Sequence, residues 1–451
     1  MPLSHFQSQV IKYSRNRMIS NLLWEGAKMA TLNIGSTGPD VKLVQSLLNK
    51  IGYNAGPVDG NYGRTTQQAV IAFQRDNGLT PDGIVGPGTW AVFDRLLRGY
   101  DTYTVKAGDT LYQIATRYYT TLNAIITANP GINPDRIYIG QKITVPYGID
   151  VVFTDIDITY GIMERQIQGL KARYPFLETG IVGKSVMGKN IYYIKLGKGS
   201  IQVSYNATHH ANEAIGTPLL MKFIENFSKA YSSGRSLQGY DLNAIFNRTS
   251  LFIIPMVNPD GVDLVAYWPH YTNSTYTEAA KLNKTGRPLP SVWKANVRGV
   301  DLNLNYPALW EREKQEEIEQ GITSPGPRDF GGDAPLSEPE SRAMYDFTRQ
   351  HNFRLVIAYH TQGEVIYWQF QNMAPPQSLP IARQFGQISG YEVSPGTSEA
   401  AYAGYKDWFI QDFGRPGYTI EVGRGANPIP MSQFPNIYRQ NEGILLLASV
   451  V

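Results

Sequence analysis

The chain contains no cysteine. That absence excludes disulfides, thiolate metal sites and cysteine nucleophiles together, so any metal must be held by His, Asp or Glu. Histidine is scarce as well: His5, His209, His210, His270, His351 and His360 are the only imidazoles in 451 residues. No apolar run reaches the ~18 residues that a membrane span requires. Nor is there a large excess of charge, since the net charge is +3 over the whole chain. So small a balance argues against nucleic acid as a partner, while an isoelectric point near 8.7 would not repel an anionic polymer. Residues 1–30 carry Lys12, Arg15 and Arg17, but polar residues interrupt Met18, Ile19, Leu22, Leu23 and Trp24. They read as an N-terminal tail with no standard signal peptide.

What is present is the composition of a globular protein, 42% hydrophobic and 18% charged. The length exceeds what one hydrophobic core usually serves, so two or three domains are expected. Residues 31–99 contain an internal echo, Asp59-Gly60-Asn61-Tyr62-Gly63 followed by Asp82-Gly83-Ile84-Val85-Gly86. Val41, Val44, Leu47, Leu48 and Ile51 precede the first copy at helical spacing, and Ala69, Ile71, Ala72 and Phe73 follow it. Short helices tied by Asp-Gly turns resemble the three-helix peptidoglycan-binding module of wall hydrolases. The glycines of these turns read as structural.

Residues 101–147 open with Tyr103-Thr104-Val105-Lys106-Ala107-Gly108-Asp109-Thr110-Leu111 and close with Gly140-Gln141-Lys142-Ile143-Thr144-Val145-Pro146. Two short strands bracketing two short helices give a β-α-α-β layout. This resembles a LysM domain, which implies recognition of glycan containing N-acetylglucosamine. Residues 150–451 alternate strands (201–205, 250–257, 354–359) with helices (217–231, 338–350). Such alternation predicts an α/β domain with a mixed, mostly parallel sheet flanked by helices.

Two clusters at predicted strand ends carry chemistry. His209-His210-Ala211-Asn212-Glu213 follows the strand at 201–205, and His360 closes the strand at 354–359. Groups just past the carboxyl ends of strands face the crevice where α/β sheets bind ligands. His210, Glu213 and His360 make the open three-ligand set of a catalytic zinc, one ion with a position left for water. Glu421 stands alone in the apolar strand Gly417-Tyr418-Thr419-Ile420-Glu421-Val422, where an unpaired carboxylate is costly unless it serves a site, and is the natural general base. His209 reads as a supporting residue, because adjacent side chains on an extended segment point apart. The acidic stretch 311–319 reads as a solvated helical face or a loop bordering the cleft.

The order of these residues, with Asn258-Pro259-Asp260-Gly261 and Gly299-Val300-Asp301-Leu302-Asn303 between them, resembles the zinc carboxypeptidase family over about residues 155–450. The resemblance implies zinc on His210, Glu213 and His360, with Glu421 as base. It implies a cation for the tetrahedral intermediate, Lys294 after Trp293 or the nearby Arg298. It also implies substrate contacts from Asn303 and from an active-site tyrosine, Tyr402 or Tyr405. One landmark departs from the family: where an Arg usually follows Asn303 and clamps a terminal carboxylate, Leu304 stands, and leucine cannot donate or carry charge.

A missing carboxylate anchor beside two wall-binding modules resembles the γ-D-glutamyl-L-diamino acid endopeptidases. The expected activity is therefore zinc-dependent hydrolysis of peptidoglycan between D-glutamate and diaminopimelate or lysine, at the bacterial cell wall or outside the cell. The alternatives are a conventional metallocarboxypeptidase, which would want an Arg near 304, and an inactive wall-binding or phage-tail protein.

Overall fold

The computed structural model describes residues 30–396 and 402–451, so the expected tail lies, but for Ala30, outside the described residues. Contacts divide the chain into two units: the chain up to Ile156 with Gly161–Pro175, and Asp157–Tyr160 with Phe176–Val451.

The first unit begins with helices α1 (Pro39–Lys50), α2 (Arg64–Asp76) and α3 (Pro87–Arg98). Their apolar stripes meet at Val44, Leu48, Phe73 and Phe93, all buried, with the two Phe rings 4.5 Å apart. The repeated Asp-Gly turns have a repeated cause. Buried Gln45 donates to Asp59 Oδ1 (3.0 Å), Asn61 O (3.1 Å) and Thr66 Oγ1 (3.2 Å), and accepts from Gly60 N at 2.9 Å. Gln74 makes the same four bonds to Asp82 (2.8 Å), Ile84 O (2.9 Å), Thr89 (3.1 Å) and Gly83 N (2.8 Å). Each amide is fully used, which a buried amide requires. Glycine is needed in both turns, because Gly60 and Gly83 have φ of +79° and +70°.

The unit continues with β1 (Tyr100–Thr104), α4 (Leu111–Arg117), α5 (Leu122–Ala128) and β2 (Lys142–Pro146). β1 and β2 pair antiparallel with Tyr103 opposite Ile143. Thr110 and Gln113 close a capping box on α4, and Thr121 caps α5. Asp109 accepts from Lys106 N (2.8 Å) and the Tyr103 hydroxyl (2.7 Å) and pairs with Arg117, fixing the turn between strand and helix.

The second unit is built on an eight-stranded sheet in the order β3-β4-β6-β5-β7-β10-β8-β9. The strands are β3 (Glu178–Lys184), β4 (Asn190–Leu196), β5 (Ile201–Ala207), β6 (Thr249–Ile254), β7 (Phe353–His360), β8 (Val365–Tyr367), β9 (Glu392–Ser394) and β10 (Gly417–Glu421). The central run β6-β5-β7-β10 is parallel, as its near-continuous apolar strands require, and the β3–β4, β4–β6 and β10–β8 pairs are antiparallel.

Helices cover both faces: α6 (Gly216–Ser232), α7 (Pro259–Ala266), α8 (Trp310–Glu319), α9 (Pro339–Arg349), α10 (Ser378–Ser389), α11 (Tyr405–Phe413) and α12 (Phe434–Ala448). Alternation along β7 sends Val356 and Ala358 into a cluster with Phe347 of α9 and Trp408 of α11. Tyr205 of β5 reaches the other layer, where its hydroxyl donates to Leu445 O of α12 at 2.7 Å.

The acidic stretch 311–319 forms α8, and it is not all solvated. Glu313 and Glu317 are buried, Glu317 accepting from Gly331 N and pairing with Lys314 at 2.8 Å. Charge periodicity alone hides such a face, because the Gly331 amide that Glu317 accepts from comes from a loop distant in sequence.

Candidate active site

β5 ends at Ala207, and the chain turns at Thr208, a β-branched residue with φ of +65°. Such a conformation is strained and has to be held. Here the hold is a buried hydroxyl pair, Thr208 to Thr217 at 3.1 Å, with Thr217 donating to Pro255 O at 2.8 Å. The turn delivers His209, His210 and Glu213 beside the last residue of β7, His360.

His210 Nδ1 lies 3.0 Å from Glu213 Oε1. His360 Nδ1 lies 3.2 Å from His210 Nδ1 and 3.1 Å from Glu213 Oε2. All three side chains are buried, and one ligand atom from each falls within 4.8 Å of the others. Two inward-facing imidazole nitrogens and a carboxylate this close need a positive charge among them. A proton on His210 can serve: burial disfavours it, but Glu213 and Asp301 together outweigh burial and hold the imidazole up at about 9. A divalent cation serves better, and two nitrogens with one carboxylate are the donor set of an open zinc site.

The surroundings orient this set. His210 Nε2 faces Asp301 Oδ1 at 3.0 Å, and Asp301 is held well below the usual carboxylate range because His210 outweighs its burial. An ionised carboxylate on Nε2–H fixes the tautomer and leaves the Nδ1 lone pair inward, as metal-binding histidines are commonly held. Glu213 also accepts from Thr361 N (3.1 Å) and from Asn427 Nδ2 (3.2 Å). His209 is not part of the set. Its Nε2 meets the Tyr306 hydroxyl at 3.0 Å, its ring stacks on His360 with centroids 5.8 Å apart, and burial keeps it neutral.

Glu421, opposite His360 in the β7–β10 register, has a buried Oε2 with no hydrogen-bond partner. Burial first, then the Glu213 carboxylate, push it up to about 8. Lys294 Nζ lies 3.4 Å from Glu213 Oε1. Burial disfavours its charge, but Glu213 and Asp301 outweigh burial and hold the ammonium above the ordinary lysine range. The structure thus brings His210, Glu213, His360, Lys294 and Glu421 together.

The other expected residues have partners of their own. Arg298 turns to Glu338, 3.6 Å away, with half its side chain in solvent. Asn303 accepts through its side-chain carbonyl from the Tyr405 N–H at 3.1 Å, so it shapes the start of α11. Of the two tyrosines expected to meet substrate, Tyr402 is 7% exposed and packs in the apolar cluster with Trp310 and Trp408, and the Tyr405 hydroxyl is tied to Thr348 at 3.0 Å within the core. Sequence reasoning missed Asn427 and the roles of Asp301 and Thr361. Asp301 had a signal, an acid inside Val300-Asp301-Leu302, whereas Asn427 sits in a loop without periodicity.

Comparison with known proteins agrees with this geometry. The family profile described as zinc carboxypeptidase matches residues 163–442. A peptidoglycan binding domain profile matches 37–93, and a LysM domain profile matches 103–146. The chain is 44% identical over 394 residues to gamma-D-glutamyl-L-diamino acid endopeptidase 1 of Lysinibacillus sphaericus, covering 76% of this chain and 98% of that protein. It is 23% identical to carboxypeptidase B of Bos taurus over 274 residues, 56% of this chain and 60% of that one. Among solved structures, thrombin activatable fibrinolysis inhibitor shares the fold at 20% identity with a TM-score of 0.51, over 66% of this chain and 76% of that one.

Proposed function

The chain belongs to the zinc carboxypeptidase family, and on that premise we propose that it is a zinc-dependent peptidoglycan hydrolase cutting the γ-D-glutamyl bond to the diamino acid of stem peptides. The observation that carries this reading is the convergence of His210, Glu213 and His360 beside the unpartnered carboxylate of Glu421. The wall modules and the name of the Lysinibacillus relative supply the substrate. The layout is a three-helix module over 31–99, a LysM domain over 101–147 and the catalytic domain over 150–451. LysM binds N-acetylglucosamine-containing glycan, and the working location is the cell wall or outside the cell. Among the described residues no helix is long and apolar enough to cross a membrane.

His210, Glu213 and His360 would hold one zinc ion, which would supply Lewis-acid polarisation of the scissile carbonyl and a lowered pKa for a water molecule in the site. Glu421, whose buried Oε2 has no hydrogen-bond partner, takes a proton from the attacking water and passes it to the leaving amine. Lys294, kept charged by Glu213, stabilises the developing oxyanion. Asp301 holds His210 in register. Leu304 offers no charge to a terminal carboxylate, so peptides that continue past the diamino acid are accepted. The wall modules raise the effective concentration of enzyme on an insoluble polymer, so modest catalytic affinity suffices.

The test is metal analysis of purified His210→Ala and His360→Ala proteins together with hydrolysis of soluble stem peptides. Both variants are expected to lose tightly held zinc and activity while still sedimenting with peptidoglycan. Undiminished zinc in both would overturn the assignment.

A further inference from the structure

A γ-linkage leaves the α-carboxylate of the D-glutamyl residue free. It sits on the acyl side, four bonds from the scissile carbonyl carbon and roughly 5–6 Å from it when extended. An ordinary α-linked peptide has no anion there. A site for the γ-bond therefore gains from two neighbouring cations, one for the oxyanion and one for this carboxylate. Lys294 is the first.

The segment from Pro327 to Phe330 is stitched along the loop that carries Lys294 and Asp301. Pro327 O accepts from Lys294 N (2.7 Å) and Ala295 N (3.0 Å), Asp329 N donates to Asp301 Oδ2 (3.3 Å), and Asp301 N donates to Phe330 O (2.8 Å). Arg328 lies between these anchor points, and its positive charge opposes that of Lys294. Its side chain is 48% exposed, and it pairs with its chain neighbour Asp329 at 2.7 Å, which is itself 42% exposed. That pair is weak enough to exchange for a ligand carboxylate. Arg298 faces Glu338 at 3.6 Å and Arg424 pairs with Glu364 at 2.6 Å, whereas Arg328 is the arginine whose charge acts most on Lys294.

We propose that Arg328 determines specificity by binding the free α-carboxylate of the D-glutamyl residue beside Lys294. The inference rests on the γ-D-glutamyl reading above. Its consequence is that the enzyme prefers stem peptides with a free D-glutamate carboxylate over those in which that group is amidated.

The experiment uses the full chain and two synthetic stem peptides, L-Ala-γ-D-Glu and L-Ala-γ-D-isoglutamine, each joined to the same diamino acid. The ratio of kcat/KM, free over amidated, is expected to be about ten- to a hundredfold for the native protein, and to shrink with added salt. Arg328→Gln should bring the ratio toward one without loss of zinc, and Arg328→Lys should retain part of it. Asp329→Asn, which removes the competing carboxylate in a residue type that tolerates positive φ, should raise the ratio. A native ratio near one, or a ratio unmoved by Arg328→Gln, overturns the proposal while leaving γ-D-glutamyl hydrolysis standing. Failure of the zinc-loaded enzyme to cut either γ-bond overturns both readings.

Discussion

Replacing Asp301 with Asn separates orientation of a metal ligand from stability of the fold. The wild-type carboxylate, 2% exposed, meets His210 Nε2 at 3.0 Å through Oδ1 and accepts from Asp329 N at 3.3 Å through Oδ2. A hydrogen bond to a charged group is worth about 1.5–3 kcal/mol, against about 0.5–1.5 kcal/mol for a neutral pair. Swapping the carboxylate for an amide therefore costs about 1–1.5 kcal/mol of ligand orientation, on the order of tenfold in zinc affinity. Loss of the negative charge behind the imidazole adds to this, within the ~10–100-fold range for partners of metal-bound histidines. The amide nitrogen must also face one of two N–H donors, which costs about 1 kcal/mol with or without zinc and so appears in stability only. Zinc dissociation constants from chelator competition at fixed neutral pH, with thermal unfolding of the metal-free proteins, separate the two effects. A zinc affinity within about twofold of wild type would refute the orienting role.

Glu421→Gln is expected to keep its zinc and lose turnover by roughly two to four orders of magnitude, measured on a soluble stem peptide, since an amide cannot accept the water's proton. Leu304→Arg should shift kcat/KM toward substrates ending at the diamino acid by on the order of tenfold over longer stems; no shift would mean that position 304 does not face the leaving side. In the LysM domain, burial raises the Asp109 pKa, but Arg117 and the Lys106 amide outweigh burial and hold it low. A depressed carboxyl pKa stabilises the fold above the ordinary carboxylate value, and that stability is lost as pH falls through the folded value. Hydrogen exchange across β1 and β2 should accordingly quicken as pH falls below about 4, the ordinary carboxylate value, corrected for intrinsic rates. In Asp109→Asn the same amides should be less protected at neutral pH and less pH-dependent.

The residues legible from sequence are those that periodic structure displays. His210, Glu213 and His360 follow or end apolar strands, and Glu421 interrupts one, so both position and polarity mark them. The same periodicity reads β5, β6 and β7 close to their observed bounds. What stayed hidden comes from loops and from partners far apart in the chain. Asn427 reaches Glu213 across 214 positions, and nothing in its neighbours announces that. Gln45 and Gln74 organise the two Asp-Gly turns, yet each looks like an ordinary helical glutamine until its burial is seen. Spacing places Tyr402 in the chain without saying which way its ring turns, and its place in the apolar cluster with Trp408 could not be read from the sequence.

The most direct test of the central claim is mass analysis of products after the zinc-loaded enzyme digests purified peptidoglycan and the isolated stem peptides. The products expected are fragments ending in γ-D-glutamate with a free γ-carboxyl and fragments beginning with the diamino acid. Chelation should abolish them, and one equivalent of zinc should restore them. Release of single C-terminal residues with the γ-D-glutamyl bond intact would contradict the account, as would an intact polymer in the presence of bound zinc.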